Sequence, residues 1–198
     1  MKELIVSINK LKNSDVKHIV DKKYKEFKQF VNKSNNELFK EMCFCLMTAN
    51  FNAAGGIKIQ NAINDGFLKL SEKQLASALK KHGHRFPNAR ANYIHEARKS
   101  KDTMKLNRDW LVKNIKGLGM KEASHFLRNI GFDDYAIIDF HIVDLLENHG
   151  IIERPKTLTK NKYLEIEEKL REIAKKTDLT LSELDMYLWY LETGKILK

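Results

Sequence analysis

The chain has 198 residues, of which 42% are hydrophobic and 31% charged, a composition that supports a folded core and argues against disorder. It contains no apolar run of the roughly 18 residues that a membrane-spanning helix needs and no apolar leader segment, so we expect a cytoplasmic or nucleoid-associated protein that does not enter a membrane. The formal net charge of +10 fits a polyanionic partner, although a basic surface also simply keeps a protein in solution.

Apolar residues recur at three- and four-residue steps along almost the whole chain, which contains only two prolines. This pattern predicts an all-α protein. Three predicted helices start with a capping box, in which a serine or threonine is followed three positions later by Glu or Gln: Ser34 with Glu37, Ser71 with Gln74, and Thr180 with Glu183. The glycine-bearing stretch from Thr48 to Gly56 instead predicts a loop.

The two cysteines, Cys43 and Cys45, do not form a metal-binding pattern with any of the seven histidines. Residues two positions apart on a helix point to different faces, so the pair suits neither a disulfide nor a shared metal ion. We therefore expect two buried thiols and assign no metal.

The segment Ile115–Lys121 predicts a tight connection between two apolar helices, with Gly117 and Gly119 one residue apart. Glycines without side chains let backbone N–H groups approach a phosphate at the start of the second helix. Such a contact grips DNA without reading its sequence. A helix-to-helix turn with no ligand fits the same two glycines.

This segment resembles the helix-hairpin-helix motif, with Lys116 at a position where proline is common. The motif implies that Lys116, Gly117 and Gly119 contact a DNA backbone. In the helix-hairpin-helix DNA glycosylases with lyase activity, a lysine just after the hairpin attacks the sugar and an aspartate at a similar separation supports it. Lys121 and Asp139 match this pair.

The chemistry explains the pairing, because only the neutral amine of a lysine is nucleophilic and a partly desolvated helix start favours that form. A carboxylate stabilises the cationic sugar as the base leaves. The alternatives are a solvated phosphate-binding lysine at Lys121 and a simple helix N-cap at Asp139.

Three longer stretches resemble the short 8-oxoguanine DNA glycosylase/lyase family, found mainly in archaea and some bacteria: Gly117–Gly131, Ala136–Ile142 and Tyr187–Lys198. The resemblance implies the two-lobed helix-hairpin-helix DNA glycosylase fold, with the active site in the cleft between lobes. We assign residues 35–121 to the central lobe and residues 1–34 with 122–198 to the other.

The family's activity is excision of 8-oxoguanine from duplex DNA, followed by cleavage of the abasic site by β-elimination through a Schiff base, here on Lys121. The resemblance further implies that Trp189 stacks on the flipped base and that Lys198 reads it. Asn50 matches the residue that fills the space left by that base. Without the resemblance, these three would be a core tryptophan, a frayed tail and an ordinary loop asparagine. Phe140 stands where the family usually has arginine.

The expected partner is duplex DNA containing 8-oxoguanine, bound by a monomer. No cofactor is needed for this chemistry, although carbonyl groups of the hairpin can hold a monovalent cation. Two alternatives remain: a non-catalytic helix-hairpin-helix DNA-binding module, and a glycosylase for a different base lesion. The endonuclease III branch is disfavoured, because its four clustered cysteines are missing here.

Overall fold

The computed structural model describes residues 1–198 and contains α-helices but no strand, which confirms the predicted all-α class. None of these helices is both long enough and apolar enough to cross a bilayer. The helices are α1 (Lys2–Lys12), α2 (Val16–Phe30), α3 (Asn35–Thr48), α4 (Ala53–Ile63), α5 (Gly66–Lys69), α6 (Glu72–Lys81), α7 (Pro87–Ala97), α8 (Arg108–Asn114), α9 (Met120–Asn129), α10 (Phe140–Asn148), α11 (Lys160–Lys176) and α12 (Leu181–Thr193), with a 3-10 turn at Arg98–Ser100.

The chain divides into two compact units. Unit 1 comprises Met1–Gln29 and Gly131–Ile196, and unit 2 comprises Phe30–Ile130 and Leu197–Lys198. The central lobe predicted from the sequence ends at residue 121, whereas the whole of α9 lies in unit 2. The difference arises because α9 packs against α3 through its buried face.

Unit 1 is built around α12, which packs against α1, α10 and α11. Its buried side chains include Leu184, Met186 and Leu188, each no more than 2% exposed. Burying side chains of this size contributes about 1.5–3 kcal/mol each. This packing positions the C-terminal half of α12, where Trp189 lies.

Unit 2 is built around α3, in which every side chain from Leu38 to Thr48 is buried. Helices α4, α5, α7 and α9 pack against it. Cys43 and Cys45 are free and buried, as predicted. Burial raises the pKa of both thiols well above the ordinary value, so they remain protonated and act as small apolar packing groups.

The predicted helix starts are largely confirmed. Capping boxes form at Ser71 with Gln74 and at Thr180 with Glu183. At α3 only the serine half forms. Ser34 accepts a hydrogen bond from the backbone N–H of Glu37, while the carboxylate of Glu37 pairs with Lys40 at 2.5 Å.

The predicted loop from Thr48 to Gly56 is shorter than expected, because α4 already begins at Ala53. The side chain of Asn52 caps this helix by accepting the N–H of Gly55 at 2.7 Å. A Cβ atom at Gly56 would lie 3.0 Å from the ring of Phe44 and 3.1 Å from Thr48. Gly56 therefore permits close packing of α4 on α3 rather than marking a loop.

Candidate active site

The connection between α8 and α9 is the tight turn that the sequence predicts. Gly117 adopts a positive φ of 93°, a conformation that residues other than glycine rarely adopt. The N–H of Leu118 donates to the carbonyl oxygen of Ile115 at 3.2 Å, and both of these side chains are buried. The two apolar side chains anchor the turn, while Lys116 remains exposed.

The ring of Tyr93 on α7 packs against this turn. A Cβ atom at Gly117 would lie 2.4 Å from Cδ2 of the Tyr93 ring, so the ring fills the space that the missing side chain leaves. The Lys116 ammonium lies 5.6 Å and the Arg90 guanidinium 5.5 Å from the centre of the same ring, within the range of cation–π attraction. Tyr93 is not identifiable from the sequence alone, where its only signal is an aromatic residue on a helix with basic neighbours.

Lys121 occupies the first turn of α9. The N-cap of this helix is Gly119, whose backbone is extended, and no side chain caps the helix. Gly119 therefore offers no side-chain acceptor to the N–H donors of the first turn, while the acidic side chain of Glu122 lies in that turn, at the positive end of the helix dipole. The Lys121 side chain is half-buried. Its charge contributes to lowering the pKa of the buried His125, although burial is the main cause of that shift.

Asp139 is the N-cap of α10, as one of the two sequence interpretations predicted. Its carboxylate accepts the N–H of Ile142 at 3.1 Å. The capping bond engages Oδ1, so the arrangement is compatible with a further role for the carboxylate.

The segment before Asp139 is held by two side chains of α11 that the sequence analysis did not single out. The Tyr163 hydroxyl donates to the carbonyl oxygen of Ala136 at 2.6 Å and accepts the N–H of Ile138 at 3.1 Å. The Glu167 carboxylate accepts the N–H of Ala136 at 2.9 Å. These bonds replace the pairing that a strand would provide and fix the direction in which the chain enters α10.

Trp189 of α12 packs edge-on against His141 of α10, with ring centroids 5.9 Å apart and an interplanar angle of 85°. The indole is half-buried rather than part of the core, whereas Tyr187 and Leu188 beside it are buried. Phe140, at the start of α10, has 73% of its surface exposed. Unit 1 therefore has two aromatic side chains around the start of α10. Phe140 directly follows Asp139 in the sequence, and Trp189 of α12 packs against His141.

Asn50 lies at the tip of the turn between α3 and α4. It is exposed and has a positive φ of 57°, a conformation that asparagine tolerates better than most residues. The preceding carbonyl groups are held in place, since Arg90 donates to that of Ala49 at 2.6 Å and His84 lies 2.9 Å from that of Met47. The turn is therefore braced by buried side chains of unit 2.

Lys198 is not a frayed tail. Its side chain is 23% exposed and its ammonium lies 2.5 Å from the carboxylate of Glu41. The same ammonium donates to the side-chain oxygen of Gln60 at 2.7 Å. Glu41 and Gln60 were not identified from the sequence, where an acidic residue inside an apolar helix is the only signal.

The predicted residues fall into two groups. Unit 2 contains the hairpin with Lys116, Gly117 and Gly119, together with Lys121, Asn50 and Lys198; unit 1 contains Asp139 and Trp189. No group of three or more His, Cys, Asp or Glu side chains is arranged to hold a metal ion.

Comparison with known proteins matches the chain to one family over most of its length. The profile of the 8-oxoguanine DNA glycosylase family matches residues 20–179. The 8-oxoguanine DNA glycosylase/AP lyase of Methanocaldococcus jannaschii is 57% identical, with 98% of this chain and 99% of the relative covered. The protein of the same description from Korarchaeum cryptofilum is 50% identical, with 99% and 98% covered.

A solved structure gives the same result. The crystal structure of the Methanocaldococcus jannaschii 8-oxoguanine glycosylase/lyase in complex with a 15mer DNA containing 8-oxoguanine superposes with a TM-score of 0.95 at 55% identity, covering 99% of this chain and all of that one. The chain belongs to the 8-oxoguanine DNA glycosylase family.

Proposed function

We infer that this protein is a bifunctional DNA repair enzyme, which excises 8-oxoguanine from DNA and cleaves the abasic site that remains. The observation that carries this conclusion is the full-length identity to relatives described as 8-oxoguanine DNA glycosylase/AP lyases. The substrate is duplex DNA containing 8-oxoguanine, bound by a monomer in the compartment that holds the genome. The net charge of +10 supports a polyanionic partner.

Lys121 is the proposed nucleophile. Its amine attacks C1′ of the damaged nucleotide, and the bond between C1′ and the base breaks as the base leaves with a proton. Opening of the sugar ring produces a Schiff base on the lysine nitrogen, loss of a C2′ proton breaks the 3′ C–O bond, and water then releases the enzyme. The half-buried position of Lys121 in the first turn of α9 supports this assignment.

Asp139 is the proposed electrostatic partner. A carboxylate stabilises the positive charge that develops on the sugar as the base departs. The capping bond to Ile142 and the bonds that Tyr163 makes to the preceding segment hold this carboxylate in one orientation, and a preorganised charge costs no rearrangement during the reaction.

The remaining assignments concern DNA. Backbone N–H groups of Gly117 and Gly119, with the exposed Lys116, would bind phosphates, and the support of the turn by Tyr93 favours such a fixed contact. Trp189 would stack on the flipped base and Lys198 would act in reading it. Asn50, exposed on a braced turn, would fill the space that the base vacates.

The reaction as written needs no cofactor. Carbonyl groups of the hairpin are candidate ligands for a monovalent cation that would help to hold the turn. We expect excision and strand cleavage to continue in the presence of EDTA, and replacement of potassium by lithium to affect DNA binding alone.

Borohydride trapping tests the function directly. Incubation of the protein with duplex DNA containing 8-oxoguanine and sodium borohydride should give a covalent complex, because borohydride reduces the Schiff base to a stable amine. Lys121→Gln should abolish this complex. Lys116→Gln is the matched control, since it removes a nearby lysine but should only weaken DNA binding. Trapping that persists in Lys121→Gln would contradict the assignment of the nucleophile.

A lesion panel tests the substrate. Duplexes carrying 8-oxoguanine, uracil, thymine glycol or an alkylated purine should be distinguished by single-turnover excision rates, with 8-oxoguanine fastest. Preference for a pyrimidine lesion would overturn the assignment of the substrate, and DNA binding without any excision would indicate a non-catalytic module.

A further inference from the structure

The ammonium of Lys198 is enclosed by side chains of α3 and α4. It lies 2.5 Å from Glu41 and 2.7 Å from the side-chain oxygen of Gln60. The ring of Phe44 forms a third wall, with its centroid 4.8 Å from the ammonium nitrogen. A carboxylate and an amide oxygen accept hydrogen bonds from an ammonium ion, and an aromatic face attracts its charge.

Glu41 is a buried carboxylate with several hydrogen-bond partners. Its side chain is 1% exposed, because it lies on α3, where every side chain from Leu38 to Thr48 is buried. The side-chain amide of Asn129 donates to one carboxylate oxygen at 2.6 Å, and that of Gln60 lies 3.3 Å from the other. A carboxylate is retained in such an environment only when it is paired and hydrogen-bonded, and Lys198 is the cation that pairs with it.

The main chain of Lys198 is also held. Nε2 of His125 lies 3.2 Å from a main-chain oxygen of Lys198. Burial lowers the pKa of His125 well below the ordinary value, so the ring is neutral and donates from Nε2. The same ring packs edge-on against Phe44, with centroids 5.7 Å apart. Both ends of the residue are thus fixed by one cluster.

We propose that Glu41, Gln60 and Phe44 form a socket for the ammonium of Lys198, and that Glu41 and Gln60 are positioning residues for recognition of the damaged base. This inference rests on the proposed function, in which Lys198 takes part in reading the base. Because Glu41 and Gln60 bind the ammonium, the role of the ammonium is to anchor Lys198. The socket removes the rotamer freedom that a lysine otherwise has, so that Lys198 is presented in one position before DNA binds.

The two reactions of the enzyme depend on the socket to different degrees. Excision requires the base to be recognised, whereas cleavage of a preformed abasic site has no base to recognise and depends only on DNA binding and the nucleophile. Damage to the socket should therefore slow excision far more than it slows abasic-site cleavage. A purely structural ion pair would affect both reactions together, through loss of folded protein.

The experiment compares single-turnover rates on two duplexes, one carrying 8-oxoguanine and one carrying a preformed abasic site. Glu41→Gln keeps the shape and the hydrogen bond from Asn129 but removes the charge. It should reduce excision by about 10–100-fold, the usual consequence of misplacing a positioning group. The fold-reduction in the rate of abasic-site cleavage should be less than one fifth of the fold-reduction in excision. Asp65→Asn is the matched control, because it breaks the ion pair of Asp65 with Lys40 on the surface of the same unit and should leave both rates unchanged.

A second variant and a double variant complete the test. Gln60→Leu removes the amide oxygen from the partly exposed rim of the socket and should lower the same ratio of rates even if Glu41→Gln folds poorly. Glu41→Gln combined with Lys198→Met should excise no more slowly than the slower single variant, because both changes break one interaction. Equal losses in the two reactions, an unchanged ratio in Gln60→Leu, or multiplicative losses in the double variant would overturn the proposal. Failure of the wild-type protein to excise 8-oxoguanine would instead overturn the proposed function.

Discussion

Replacing Gly117 by alanine tests whether the hairpin is held in place by Tyr93. The added Cβ atom would lie 2.4 Å from the Tyr93 ring at a φ of 93°. The positive φ costs about 1–2 kcal/mol for a residue with a side chain, and relief of the clash costs about 1–3 kcal/mol more. We therefore expect the free energy of unfolding to fall by about 2–5 kcal/mol.

Gly83→Ala is a matched control within the same unit. Gly83 has a φ of 80°, but no atom lies within 4 Å of its Cβ position, so only the backbone cost of about 1–2 kcal/mol applies. Adding Tyr93→Ala to Gly117→Ala removes the clash and should restore the hairpin position, although it also removes buried aromatic surface. Urea unfolding of the three variants separates the two contributions.

DNA binding reports the position of the hairpin. Loss of one hydrogen bond from a backbone N–H to a phosphate costs about 1.5–3 kcal/mol, or roughly 10- to 100-fold in Kd. Fluorescence anisotropy with a duplex containing a stable abasic-site analogue should show this loss for Gly117→Ala and not for Gly83→Ala. Equal destabilisation by both substitutions, or unchanged DNA affinity in Gly117→Ala, would refute the reasoning.

Three further predictions concern unit 1. Asp139→Asn should preserve the cap of α10, because asparagine caps as well as aspartate, and should therefore slow base release with little change in the urea midpoint; equal losses in release and binding would favour a capping role alone. Tyr163→Phe leaves the N–H of Ile138 and the carbonyl of Ala136 without their hydroxyl partner, so thermal unfolding should show a loss of about 2 kcal/mol and base release should slow. Burial and then the charge of Asp133 raise the pKa of Tyr24 from 10.0 to about 12. The stability linked to this raised pKa is complete below pH 10 and lost as the pH rises towards 12; the urea midpoint should fall between pH 10 and 12, and less steeply in Tyr24→Phe.

The local features of the fold were readable because they depend on neighbours in sequence. The capping residues Ser71 and Thr180, the positive φ of Gly117 and the N-cap at Asp139 each follow from backbone geometry over a few residues. Predictions of this kind failed where contact with another helix decides the residue. The local sequence around Gly56 predicts a loop, but glycine is needed there because the ring of Phe44 packs against it.

The sequence by itself determined the helical class, the hairpin, the family and the candidates Lys121 and Asp139. Only the tertiary structure decided how those residues are held. Tyr163 holds Ile138, the residue before Asp139, from 25 positions away, and Glu41 and Lys198 meet although 157 positions separate them. Such partners carry no local signal, because a buried carboxylate or hydroxyl differs from a surface one only through contacts that the folded chain creates.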